Sequence, residues 1–183
     1  MFQLRPAGIL SGVTAFFVAV LSLPSGAEVI DAEASGFTTR HSLVISRPRA
    51  EVYRSSVDKI GSWWSDDHTM SGHAANMYVD AKPQGCFCER LGESGGVVHM
   101  TVTFVNPTVM LRLNGGLGPL GLMGVNGNMT WEFADAGEGT TLTWSYAVGG
   151  YHPGGLEQIA AAVDGVLIEQ MSRLKELLEN PQR

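Results

Sequence analysis

Between Pro83 and Met100 the chain reads PQGCFCERLGESGGVVHM, which brings two cysteines, a glutamate, a serine flanked by glycines and a histidine close together. Four chemistries suit those residue types: a thiolate metal site, a disulfide, a serine nucleophile, and a carboxylate–imidazole pair. Gly92–Gly96 has the Gly-x-Ser-x-Gly form of a nucleophile elbow, but that motif needs a strand-to-helix turn to lift the serine. Strand-like sequence lies on both sides here, so the run reads as a hairpin turn. Pairing across a turn at Gly92–Gly96 sets Leu91 opposite Val97, Glu89 opposite His99 and Cys88 opposite Met100. Alternate strand residues share a face, so Cys86, Cys88, Val98, Met100, Val102 and Phe104 form the inward, apolar set. Glu89 and His99 then pair on the more polar face. The cysteines read as small hydrophobes. A strained Cys86–Cys88 bridge stays open because parallel side chains about 6.6 Å apart suit one poorly. A metal is disfavoured, since the thiols and His99 fall on opposite faces and Cys-x-Cys is not the common zinc spacing.

Elsewhere the chemical residues are less organised. WWSDDHTMSGHAAN contains Asp66, Asp67, His68 and His73 without an established ligand spacing, and reads as a solvated loop. Trp63 and Trp64 are amphipathic anchors, one for core or pocket and the other as cover. GLGPLG at Gly116–Gly121 has dinucleotide-loop form, but Pro119 interrupts it and strand, not helix, follows. With Leu117 and Leu120 it reads as an apolar loop suited to a cavity mouth. His152 beside Tyr151 is a lone polar candidate near that mouth.

The elements that must hold these residues are legible from periodicity. Arg5 followed by an apolar run from Gly8 to Leu23 and small residues at Ser25–Ala27 predicts a secretory signal over 1–27. Cleavage near Ala27 leaves no stable membrane span and places the protein in the periplasm or outside the cell. Residues 28–37 read as a polar leader. TTRHSLVIS alternates as a strand; Pro48 then opens a helix that Gly61 divides into two short pieces. Six period-two runs follow: 77–81, 86–91, 97–105, 108–113, 125–134 and 140–148, a meander of antiparallel strands. From Leu156 to Leu178 one apolar stripe marks a long helix, with Gly165 a possible point of close approach. A net charge of −6 with scattered basic residues argues against nucleic acid as a partner.

One long helix with a single apolar stripe and one sheet with a single apolar face bury each other when the sheet curves around the helix. Here the chain resembles the START-like, or SRPBCC, superfamily of polyketide cyclase, lipid-transfer and birch-pollen-allergen type domains. The resemblance rests on VISRPRAEVYRSSVDKIGSWW, QGCFCERL, GGLGPLG and VDGVLIEQMSRLKELLE. It implies an α+β helix-grip fold over 38–180, with about seven strands, two short helices after the first, and a long C-terminal helix. It also implies binding of a small hydrophobic molecule, lipid or aromatic, without a cofactor. Alternation places Met129, Trp131, Trp144 and Tyr146 inward on the last two strands. The expected ligand wall is Trp64, Met100, Leu117, Leu120, Met129, Trp131, Trp144, Tyr146 and His152. An alternative is a cyclase- or lyase-like enzyme using Tyr146, His152 or Glu89 as acid or base. Another is a protein-interaction module docking through the Gly-rich loop.

Overall fold

The computed structural model describes residues 28–180; the expected signal segment 1–27 lies outside them. Eight antiparallel strands form one sheet: β1 (Glu28–Glu33), β2 (Gly36–Ile45), β3 (Met77–Val79), β4 (Cys86–Leu91), β5 (Gly95–Asn106), β6 (Met110–Asn114), β7 (Gly124–Ala136) and β8 (Gly139–Tyr151). Their order is β1-β2-β8-β7-β6-β5-β4-β3. Two short helices, α1 (Arg49–Asp58) and α2 (Ile60–Trp63), carry the chain from β2 to the opposite edge, and α3 (Glu157–Glu179) closes the fold. This is the helix-grip arrangement. The described residues contain no helix long and apolar enough to cross a membrane.

Two expectations about the ends of elements are corrected. Residues 28–33 are an edge strand, not a leader, because a tight Ala34–Ser35 turn folds them back on β2 with Glu33 opposite Gly36. The sheet therefore has eight strands rather than seven. The break between α1 and α2 falls at Lys59, two residues before Gly61.

The meander's long strands follow the alternation. Met129, Trp131, Phe133, Leu142, Trp144, Tyr146 and Val148 are all buried, and Trp131 lies directly opposite Trp144. The C-terminal half of α3 is tied down by polar bonds. Ser65 N–H donates to Gln170 Oε1 at 2.8 Å, Arg173 Nε to the Trp63 carbonyl at 2.8 Å, and Lys175 Nζ to the Val44 carbonyl at 2.7 Å. Ser46 N–H donates to Glu179 at 2.8 Å. On the same helix, Gly165 faces open space, so nothing approaches it closely.

The β4–β5 hairpin departs from the expected register. Its turn is only Gly92–Ser94, with Gly92 at φ 61°, a left-handed value that glycine adopts freely. Leu91 therefore sits opposite Gly95 and Glu89 opposite Val97. Further along, Phe87 pairs with Met100 and Cys88 with Val98, which leaves His99 as the extra residue of a β-bulge. The consequence is that Glu89 and His99 turn inward and Val98 outward, while Met100 and Val102 stay inward as expected and a second register shift after Val102 turns Phe104 out. Phe87, Glu89, His99 and Met100 are buried, whereas Val98 is 64% exposed and Phe104 is exposed too. Cys86 and Cys88 lie on the face opposite Phe87 and are joined by a disulfide, their Cα atoms 5.4 Å apart. The reading of both as free thiols is corrected by that bridge, although Cys88 is buried as expected: the local Cα spacing falls within the range that a bridge spans.

Candidate functional site

A cavity of about 310 Å³ lies between the sheet and the N-terminal half of α3. Its helix wall is built from Ile159, Ala162, Val163, Val166 and Leu167, spaced three and four apart as one helical face requires. Opposite stand Trp64, Met77 and His99; Leu117, Gly118, Pro119, Leu120 and Met123 close one side, and Asp67, His68, Thr69 and Met70 another. The lining is predominantly apolar and the volume is at the small end of ligand sites, about 300–1,000 Å³.

The apolar loop borders the cavity. Its single short helical turn, Gly118–Leu122, buries Leu120 and leaves Leu122 83% exposed. Tyr146 fixes its base: the hydroxyl donates to the Gly115 carbonyl at 2.9 Å and accepts from Leu117 N–H at 3.1 Å. Burial pushes the Tyr146 phenol up to about 12, against the opposing effect of the Leu117 bond. The ring lies over Gly127, where a Cβ would come within 2.6 Å of it, so only glycine leaves room for this tyrosine.

The second loop, 65–76, is held by carboxylates. Asp66 Oδ1 accepts from Ala74 N–H at 2.6 Å, and Glu89 accepts from the backbone N–H groups of Met70 at 2.9 Å and of Ser71. Trp64 Nε1 donates to the His68 carbonyl at 2.9 Å, and the His68 imidazole meets Glu169 of α3 at 3.1 Å. Among the described residues no three His, Cys, Asp or Glu side chains converge as metal ligands.

Glu89 is the buried charge of the site. Burial alone would push its carboxyl up, but the bonds from Ser71, Met70 and His99 together outweigh that and hold it below the usual glutamate range. Its Oε2 meets His99 Nε2 at 3.0 Å. The Glu89–His99 pair expected from the sequence is therefore present, but inside the protein rather than on a polar face. No alternation rule signals this, because the bulge at His99 is what turns the imidazole inward.

Of the nine residues expected to line a ligand, Trp64, Leu117 and Leu120 border the cavity. Met100, Met129, Trp131 and Trp144 instead belong to the packed core. Trp131 and Trp144 stack at 4.6 Å with an 8° tilt, and Trp63 covers both at 6.4 and 6.0 Å. None of Met100, Met129, Trp131 and Trp144 lines the cavity. Tyr146 spends its hydroxyl on the loop, and His152 sits half-buried in a turn, its carbonyl accepting from Gly155 N–H at 3.0 Å. Sequence reasoning missed Met77, His99, Met123 and the small residue Ala162 as lining. The apolar stripe of α3 held most of the helix wall in plain sight.

Comparison with known proteins agrees with this architecture. The chain resembles DynU16, a putative protein of the dynemicin biosynthetic locus, at 18% identity and TM-score 0.56, covering 79% of this chain and 48% of that one. It thus spans about half the length of DynU16. Protein EF2215 from Enterococcus faecalis matches at 14% identity and TM-score 0.56, over 83% of this chain and 77% of that one. Aha1 from Colwellia psychrerythraea, solved as a dimer, matches at 14% identity and TM-score 0.55, over 80% and 98%. At these identities the likeness concerns the fold. No curated protein matches in sequence. The sequence profile of the family described as polyketide cyclase / dehydrase and lipid transport matches residues 37–179, nearly the whole described chain. The chain belongs to that polyketide cyclase / dehydrase and lipid transport family.

Proposed function

We propose that the protein binds a small hydrophobic molecule in the cavity between the sheet and the N-terminal half of α3. The observation that carries this reading is the cavity itself: apolar on its helix wall, roofed by a Gly-rich loop, and built on a fold whose family includes ligand-binding and cyclase-type domains. An interior of this size left empty costs stability, because its lining forgoes dispersion contacts. A ligand would restore them. The occupant is transported, sequestered or presented for reaction; the apolar lining favours a compact hydrocarbon or aromatic body.

The test is titration with fatty acids, sterols and polycyclic aromatics while tryptophan emission is followed, in wild type and in Val163→Trp. Wild type should give a saturable signal with at least one class, and Val163→Trp, which fills the cavity from the helix side, should weaken that Kd by tenfold or more. Equal binding by both proteins would place the ligand elsewhere.

Export belongs to the same proposal. A Cys86–Cys88 bridge is at home in an oxidising compartment, in keeping with the signal expected over 1–27. Mature protein beginning near Glu28, with a mass two hydrogens below the reduced form, would support it. Retention of Met1 in an exported fraction would oppose it.

A further inference from the structure

Among the polar residues lining the cavity, Asp67, His68 and Thr69 are exposed or half-buried, whereas His99 is 4% exposed. Its Nε2 is committed to Glu89 at 3.0 Å, and its Nδ1 is buried without a partner in the protein. Glu89 also takes backbone N–H bonds from Met70 and Ser71, bonds that only an oxygen acceptor can receive. A carboxylate held in this way is acceptor-only, so the proton in the Glu89–His99 bond belongs to Nε2. In the neutral imidazole that fixes the tautomer, and Nδ1 is left with a free lone pair. The ring cannot turn to satisfy it without breaking the Glu89 bond and burying an unpaired carboxylate.

No group on the wall pairs with that lone pair. Trp64, the only indole at the cavity, donates to the His68 carbonyl, and the helix wall is entirely aliphatic. Buried acceptors are normally paired. The bulge that breaks the β4–β5 register is what brings His99 to the cavity wall.

We propose that His99, its tautomer fixed by Glu89, is the polar anchor of the cavity and accepts a hydrogen bond at Nδ1 from a hydroxyl group on an otherwise apolar ligand. The inference rests on the binding reading above and narrows it to ligands with an apolar body and one donor hydroxyl. Glu89 is then a positioning residue, while His99 touches the ligand.

The probes are 2-naphthol and 2-methylnaphthalene, matched in shape and differing by hydroxyl against methyl. Wild type should bind 2-naphthol about tenfold or more tightly than 2-methylnaphthalene, the gain of one buried hydrogen bond. In His99→Phe that preference should vanish while 2-methylnaphthalene still binds. Imidazole nitrogen NMR of the wild-type protein gives a second readout that needs no variant: the Nδ1 resonance should move with 2-naphthol and stay put with 2-methylnaphthalene. If both probes bind wild type equally and Nδ1 is indifferent to both, the anchor is overturned and the apolar binding reading stands. If neither probe nor any compound of the broader panel binds, the binding reading falls and the anchor with it.

Discussion

The two ends of the interior are built from different residue types and differ in what fills them. Under β7 and β8, Trp131 and Trp144 stack face to face, Trp63 closes over them, and the C-terminal half of α3 is held down by four polar bonds to β2, α2 and the residues just after each. Under β5 and the loop 114–124, the N-terminal half of α3 presents the small side chains Ala162, Val163 and Val166, and a cavity remains. Large aromatics on facing strands fill space. Small aliphatics on a helix leave it. The difference separates stability from binding along one helix, and it assigns opposite outcomes to substitutions at the two ends.

The largest effect is expected at the filled end. Trp144→Ala should cost about 3–5 kcal/mol, measured by denaturant unfolding, because it removes a buried indole that its neighbours cannot replace. Ligand affinity should hold in whatever fraction stays folded. A Trp144→Ala protein of near wild-type stability with lost binding would reverse the assignment of the two ends.

At the open end the largest structural effect should come from Glu89. Its carboxyl is held below the usual range in the folded state, so it stabilises the fold above the ordinary glutamate value of about 4.3, and that contribution is lost as pH falls through the depressed value. Glu89→Gln should cost about 1–3 kcal/mol at pH 7, with the penalty shrinking as the pH is lowered toward 3. Thermal melts across that range check it, and a penalty independent of pH would contradict the ionised clamp.

A smaller change is expected from Tyr146→Phe. It removes two hydrogen bonds at the base of the roof loop, at about 1 kcal/mol for a typical bond. Hydrogen exchange should show the amide of Leu117 losing protection while the β7–β8 ladder is unchanged. Unaltered exchange at Leu117 would mean that the loop is held by packing alone.

Much of this fold is legible in the sequence, because its signals are periodic. The alternation through β7 and β8 and the stripe of α3 follow from which side must be buried, and neither depends on detail. The β4–β5 hairpin was harder to read for a physical reason. A three-residue turn shifts the register by two residues relative to a five-residue one, and a single bulged residue then moves His99 to the other face. Both depend on local backbone geometry that residue types signal weakly. The strand at 28–33 was obscured by its composition: EVIDAE carries three acids and pairs along one edge only. Alternation predicts which residues face inward and says nothing of whether space remains between them, so it does not single out the residues that line the cavity. Tyr146 illustrates the point. It is inward, as expected, but its hydroxyl is consumed by the loop.

The most direct test of the account is methyl and indole NMR of the wild-type protein titrated to saturation with 2-methylnaphthalene. The methyl signals of Val163, Leu117 and Met123 should shift progressively, while the indole N–H signals of Trp131 and Trp144 stay in place. Shifts confined to Trp131 and Trp144, with Val163 and Met123 unmoved, would contradict it.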